Sequence, residues 1–263
     1  MKQRKSLSAD GLFKLVRKGF QKITDHREMN VAISLTDVLM SGFALFSLKD
    51  PSLLAFDERR AKPENLQRVY GLQQIPSDTQ MRTILDEVAP ETLRPVYLRV
   101  FRALQRGKAL EPLRFMGRYY LVSVDGTGYF TSKHVHCADC LERRNQRTGE
   151  ITYAHQLLDA AIVHPDQQVV VPLCPEAIIK QAGAQKNDCE RNAAKRFLAQ
   201  LRQDHPRLPM IIVEDALSAN APHIRELRRH GLHFILGVKP GDHGFLFAHV
   251  EQAHTAGQTR EFE

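Results

Sequence analysis

Apolar residues recur every three or four positions through the first 118 residues, the spacing of amphipathic helices, and from residue 119 they gather into the short runs that suit strands. The clearest helical stripe is Met81, Ile84, Leu85 and Val88. It follows Ser77 and Gln80, spaced as a capping box in which each side chain satisfies a backbone N–H of the first turn. Asp50 before Pro51 predicts an N-cap and first helical residue for 51–60, because proline lacks the N–H that would be orphaned there. Pro90 predicts the start of another helix through Val96, Leu98, Val100, Phe101 and Leu104, which Pro95 either kinks or restarts. The longest apolar stretch, 31–48, approaches the length of a bilayer span but contains Asp37 along with Ser34, Thr36, Ser41, Gly42 and Ser47. A central Asp costs roughly 2.5–3.5 kcal/mol on insertion, so a buried helix of a globular protein is expected instead.

The second half opens on residues 119–125 (YYLVSVD), an apolar run ending in a carboxylate and followed by Gly126-Thr127-Gly128. Residues 151–163 and 169–173 predict two more strands joined by a turn at His164-Pro165-Asp166, which suggests an antiparallel meander. Asn187 and Glu190 predict the cap of a helix whose buried face is Cys189, Ala193, Ala194, Phe197, Leu198 and Leu201. A strand over 210–215 (MIIVED) also ends in a carboxylate. A short helix over 222–230, closed by Gly231, then leads to a fifth strand over 232–238 and a helix over 244–254. The order β-β-β-α-β-α-β is that of an α/β, ribonuclease-H-like mixed sheet, here incomplete and preceded by an all-α part. In that fold the first and fourth strands are neighbours.

The 263 residues, 43% of them hydrophobic, suffice for two modules, divided on this pattern into 1–117 and 118–263, and exclude a disordered chain. The basic N-terminus is not followed by a continuous apolar segment of the signal-peptide kind, so a cytoplasmic, nucleoid-associated location is expected, with no membrane partner. Four cysteines in such a chain do not suggest a disulfide framework, and Cys174 and Cys189 read as buried small residues. The net charge of +7 is unevenly distributed. Residues 1–118 hold 21 Lys and Arg against 13 Asp and Glu, while 119–263 hold 16 against 17. That puts the whole excess on the helical half, as a solvated basic surface or as a phosphate-binding face.

If the first and fourth strands are adjacent, Asp125 and Asp215 end neighbouring strands about 4.8 Å apart. Their side chains could then share Mg²⁺ or Mn²⁺, hard cations that take one or two carboxylates and leave room for phosphate oxygens. A single Asp at a strand end is more often a turn or cap residue, so the pair carries the case. Glu214 should point to the opposite face from Asp215, because side chains alternate along a strand.

Several ordered blocks resemble bacterial insertion-sequence transposases of the DDE type. They are residues 75–82 (IPSDTQMR), Asp125-Gly126-Thr127, Tyr153-Ala154-His155-Gln156, 187–196 (NDCERNAAKR), 214–220 (EDALSAN) and 237–242 (GVKPGD). The resemblance spans most of 70–250. It implies that Asp125 and Asp215 are the first two catalytic acids and that the protein cuts and rejoins DNA at the ends of its own element, working at least as a homodimer on DNA. In such transposases a third acid, a Glu, follows a Tyr and an Arg on a later helix. The sequence to Glu263 lacks that pattern, and Glu251, Glu261 and Glu263 do not supply it. The expectation is therefore a C-terminally truncated catalytic domain that cuts DNA poorly by itself. The alternatives are a non-catalytic DNA-binding remnant or inhibitor of the full-length enzyme, and a nuclease of similar topology that does not transfer strands.

Two further groups carry chemistry. His134, His136, Cys137 and Cys140 form H-x-H-C-x-x-C after the first strand, and His155 lies on the next. His136, Cys137, Cys140 and His155 have the chemistry of a tetrahedral Zn²⁺ set, though the spacing also suits an ordinary hairpin with two reduced thiols. Arg143, Arg144 and Arg147 in the same hairpin, with Lys239 after the fifth strand, are candidates to hold DNA phosphates, while the helical half is the better candidate for recognising element ends.

Overall fold

Helical spacing before residue 112 becomes six α-helices among the described residues of this computed structural model, which are 7–28, 31–179 and 189–260. The chain divides into two units, Met1–Glu111 and Pro112–Glu263.

The first unit contains α1 (Ala9–Phe20), α2 (Leu35–Ser47), α3 (Leu53–Arg60), α4 (Glu64–Tyr70), α5 (Asp78–Leu85) and α6 (Arg94–Arg106). Its core is built from Val38, Met40 and Ala44 of α2 with Phe56, Leu66, Leu72, Met81 and Val96 of the surrounding segments. Phe13 stacks on Tyr70 at 5.0 Å, and Phe43 meets Phe13 edge-on at 5.4 Å.

The apolar stretch around Asp37 is α2, and no helix among the described residues is long and apolar enough to cross a membrane. Asp37 is buried. Its charge is matched by Arg17 at 2.9 Å and by the backbone N–H groups of Gln73 and Gln74 at 3.4 and 3.3 Å, as a buried carboxylate requires.

Both bonds of the Ser77–Gln80 capping box are present on α5. Pro95 restarts the helix: Pro90–Leu93 is a 3-10 turn, and α6 begins at Arg94 with proline in its first positions. Asp50, by contrast, does not cap α3. Ser52 does, accepting from the Ala55 N–H at 3.1 Å, because Asp50 is engaged by Arg59.

The second unit is a mixed sheet with helices. Its strands are β1 (Tyr120–Ser132), β2 (Leu141–Arg144), β3 (Ile151–His164), β4 (Gln167–Pro172), β5 (Glu176–Ile178), β6 (Met210–Glu214) and β7 (His233–Leu236), and the order is β2-β3-β1-β6-β7. The long β1 and β3 pair antiparallel along one edge of β3, while β2, β5 and β4 take turns along its other edge. β6 lies parallel to β1, and β7 parallel to β6.

Two short strands, β2 and β5, lack an apolar pattern of their own. β1 also runs past the expected end at Asp125. Gly126 and Gly128 do not stop it, because the antiparallel partner continues from Asp125↔Asp159 to Ser132↔Tyr153 with one bulge between Gly128 and Phe130.

The helices of this unit are α7 (Glu190–Asp204), α8 (Ala221–Arg229) and α9 (Gly244–Thr255). α7 lies over β3 and β5 and beside α8, burying Ala193, Ala194, Phe197, Leu198 and Leu201. Cys189 departs from the sequence expectation: it is exposed and forms the N-cap position of α7, and Cys174 is only half-buried. Asn187, the expected cap, lies outside the described residues, as do Glu261 and Glu263.

Arg202 of α7 clamps the end of α8, donating to the carbonyls of His230 at 2.9 Å, Gly231 at 3.2 Å and Leu208 at 3.1 Å. Burial pushes its guanidinium below the usual arginine range. Gly231 closes α8 at φ +61°, a left-handed position that glycine adopts without a Cβ penalty.

Candidate active site

β1 and β6 run parallel from Tyr120↔Met210 to Ser123↔Val213 and then separate. Asp125 and Asp215 each lie two residues beyond that last pair, Asp125 within β1 and Asp215 just past the end of β6. Both are exposed, and both line one cleft of about 230 Å³. Each carboxylate uses Oδ1 on its own backbone: Asp125 accepts from the Gly126 N–H at 2.8 Å, and Asp215 from the Leu217 N–H at 2.9 Å. The second bond is the N-cap of the 3-10 turn Ala216–Ser218, which bends the chain out of β6 and fixes the carboxylate at the cleft edge.

The sequence predicts that Glu214 points away from Asp215, yet Glu214 lines the same cleft, because Asp215 has left β6 as the cap of a 3-10 turn. It is buried, meets His223 Nε2 at 2.6 Å and accepts from the Ser218 hydroxyl at 3.2 Å, so it ties α8 to the strand end in the wall of the cleft.

Sequence reasoning missed two contributors to this cleft. The first is Glu190 of α7. A Cβ at residue 126 would overlap its carboxylate, so glycine there is what lets the Glu190 side chain lie against β1 beside Asp125. The second is the pair Arg191 and Lys195, exposed one helical turn apart on α7 and lining the same cleft. Asp159 faces Asp125 in the β1–β3 register but does not line the cleft. Both contributors lie in the 187–196 block, where Glu190 reads more simply as a capping residue. Asp159 carries no signal until β3 is in register.

The basic candidates separate. Arg143 on β2 lines an adjoining groove of about 440 Å³ together with Glu190, Arg191 and Leu217. Arg144 and Arg147 are exposed on the same hairpin but line neither space. Lys239 is exposed, and its loop is fastened to the turn after Asp215, because His243 donates from Nε2 to the Ala219 carbonyl at 2.8 Å while its Nδ1 meets the Lys239 backbone.

Among the described residues, the His, Cys, Asp and Glu side chains with metal-ligand spacing are Cys137, Cys140 and His155. His136 is not with them: its ring lies against Tyr153, with centroids 4.3 Å apart. Tyr129 stacks on His155 at 5.8 Å.

No family model and no curated protein matches the chain. Among solved structures, the cryo-electron-microscopy structure of a piggyBac transposase synaptic complex with hairpin DNA aligns with a TM-score of 0.40 and 13% identity, over 87% of this chain and 50% of that one. The chain spans half the length of that neighbour.

Proposed function

We propose that the protein is a DDE-type DNA transposase whose second unit binds a divalent metal through Asp125 and Asp215 and carries out phosphodiester cleavage and strand transfer at the ends of an insertion sequence. The observation that carries this reading is the placement of the two aspartates at matching positions where β1 and β6 part, on one cleft. The strand order supports a ribonuclease-H-like assignment, since the first and fourth long strands are neighbours and the later strands are parallel.

The donor chemistry fits Mg²⁺ or Mn²⁺. Asp125 and Asp215 offer hard carboxylate oxygens open to solvent, and no hydrogen bond to Oδ2 of either is found among the described residues. Like charges directly opposite on paired strands, here Asp125 and Asp159, are unfavourable, and a cation next to Asp125 offsets that repulsion. When bound, such an ion sharpens an attacking oxygen and stabilises a leaving one in displacement at phosphorus.

The rest falls to the chain's own groups. Arg191 and Lys195 on the cleft, with Arg143 in the adjoining groove, hold the phosphates of the strand presented to the acids. Lys239 sits on the loop fastened beside Asp215 and holds a neighbouring phosphate. The helical unit, with its excess of basic residues, recognises the element ends, and pairing two ends requires at least a homodimer on DNA.

The test reads binding and turnover together, with duplexes carrying the element's terminal repeats and Mn²⁺. The reading expects end-specific complexes with only weak Mn²⁺-dependent nicking, since two of the three acids are supplied here, and loss of that nicking in both Asp125→Asn and Asp215→Asn while DNA affinity stays within a few-fold. Complexes without sequence preference, or cleavage that survives both substitutions, would overturn it.

A further inference from the structure

A second cluster of side chains, outside the cleft of the two aspartates, has a geometry of its own. Cys137 Sγ and Cys140 Sγ are 3.6 Å apart, and each lies 3.3 Å from His155 Nε2. The sulfurs are too far apart for a disulfide, whose S–S bond is about 2.05 Å, and all four cysteines are free thiols.

The triangle has the dimensions of one face of a metal tetrahedron. With Zn–S of about 2.3 Å and Zn–N of about 2.0–2.1 Å, a tetrahedral angle puts sulfurs about 3.8 Å apart and sulfur to nitrogen about 3.6 Å. The observed edges fall short of these by only a few tenths of an ångström, so closing around an ion needs a small outward adjustment.

Two independent features fit a metal site. The Cys137 backbone N–H donates to Cys140 Sγ at 3.3 Å, so the tight Cys-x-x-Cys turn brings both sulfurs to one side. Tyr129 stacks on the His155 ring and Phe130 packs against it at 5.7 Å, fixing the orientation of the imidazole and keeping Nε2 on the sulfurs.

We infer that Cys137, Cys140 and His155 bind one Zn²⁺ as a Cys₂His set, with the fourth position taken by water. Cys137 is exposed, which leaves the outer side of the ion open to solvent, and His136 stays on Tyr153. Binding releases the two thiol protons to solvent and consumes no oxidant or reductant.

The ion joins three stretches of chain: the loop carrying Cys137, the start of β2 at Cys140, and β3 at His155. Residue 140 directly precedes Leu141–Arg144, the strand that brings Arg143 to the groove beside Glu190. Zinc therefore acts as the clasp that holds this basic strand to the sheet. The inference does not depend on the proposed reaction, because hard carboxylates and soft thiolates select different ions.

The experiment uses the full chain purified under reducing conditions without chelator. Elemental analysis should give one zinc per chain in wild type and in His136→Ala, and less than a tenth of that in Cys137→Ser, Cys140→Ser and His155→Asn. Replacement by Co²⁺ should give thiolate-to-cobalt charge-transfer absorption with the d–d bands of a tetrahedral site. These are read without any DNA activity, and circular dichroism confirms that each variant is folded. Folded, reduced wild type that takes up neither Zn²⁺ nor Co²⁺ would refute the site, and so would a charge-transfer band that survives His155→Asn. Loss of zinc in His136→Ala would overturn the assignment of water to the fourth position.

Discussion

Asp37→Ala should destabilise the helical unit strongly. Its side chain is 5% exposed and takes three donors: Arg17 Nη2 at 2.9 Å and two backbone N–H groups at 3.3 and 3.4 Å. Alanine leaves the guanidinium without its counter-ion and both amides without an acceptor. Breaking a buried pair in this way costs about 3–5 kcal/mol. The lower end applies here, because the Arg17 side chain is 21% exposed and recovers some hydration, and because the amide bonds are long. Asp37→Asn keeps an acceptor and loses the charge, so it should cost about 1–2 kcal/mol, the difference between charged and neutral hydrogen bonds. Arg17→Ala added to Asp37→Ala should cost little more, giving a coupling above roughly 1.5 kcal/mol. With two units in one chain a single global unfolding curve is ambiguous. Hydrogen exchange of the α2 amides in the intact protein reads the local opening free energy directly. A change below about 0.5 kcal/mol in Asp37→Ala, the size of an ordinary surface substitution, or strict additivity with Arg17→Ala, would refute the reasoning.

Three further outcomes follow from named contacts. His223→Ala leaves the buried Glu214 carboxylate with the Ser218 hydroxyl alone and should destabilise the β6 amides by about 1–3 kcal/mol in the same exchange measurement, with His223→Gln restoring most of it; equal losses in the two variants would contradict this. Gly126→Ala places a methyl where the end of the flexible Glu190 side chain lies, so the carboxylate must swing away and the cost should stay at about 0.5 kcal/mol; a larger penalty unchanged by Glu190→Ala would show that the backbone and not Glu190 resists the methyl. The hydrogen bond from Arg27 holds the Asp25 carboxyl down at about 2, below its ordinary 3.8. Its stabilising contribution is therefore complete above pH 3.8 and lost as pH falls toward 2. Carbon-detected NMR should find Asp25 titrating near 2, and a midpoint near 3.8 would remove the claim.

Periodicity made most of the elements legible, and single residues explain what it missed. The Ser77–Gln80 box and the α7 stripe from Ala193 to Leu201 are local signals, and local structure follows them. Asp50-Pro51 is an equally good local signal, yet a long-range partner, Arg59, takes the carboxylate and leaves Ser52 to cap. The end of β1 was misplaced because glycines usually punctuate strands, whereas here a fourteen-residue partner strand, β3, carries β1 through them. β2 and β5 exist only through pairing with β3. In the cleft, the two aspartates were legible because each closes an apolar run. Glu190 and Arg191, and outside the cleft Asp159, were not, because their relation to Asp125 depends on how α7 and β3 lie against β1. The Cys-x-x-Cys turn was legible as chemistry. His136 and His155 could not be ranked by spacing, and the strand register brings only His155 to the sulfurs.

The central claim, that Asp125 and Asp215 jointly hold a divalent cation, is tested most directly by letting Fe²⁺ take the place of Mg²⁺ and, with ascorbate and peroxide, cut the polypeptide where it binds. The account predicts backbone cuts clustered beside Gly126 and Ala216 that fade as Mg²⁺ is added and vanish in Asp125→Asn and in Asp215→Asn, while any cutting near Cys137 and His155 resists Mg²⁺. Cuts absent from both strand ends, or present at one and indifferent to loss of the other aspartate, would contradict it.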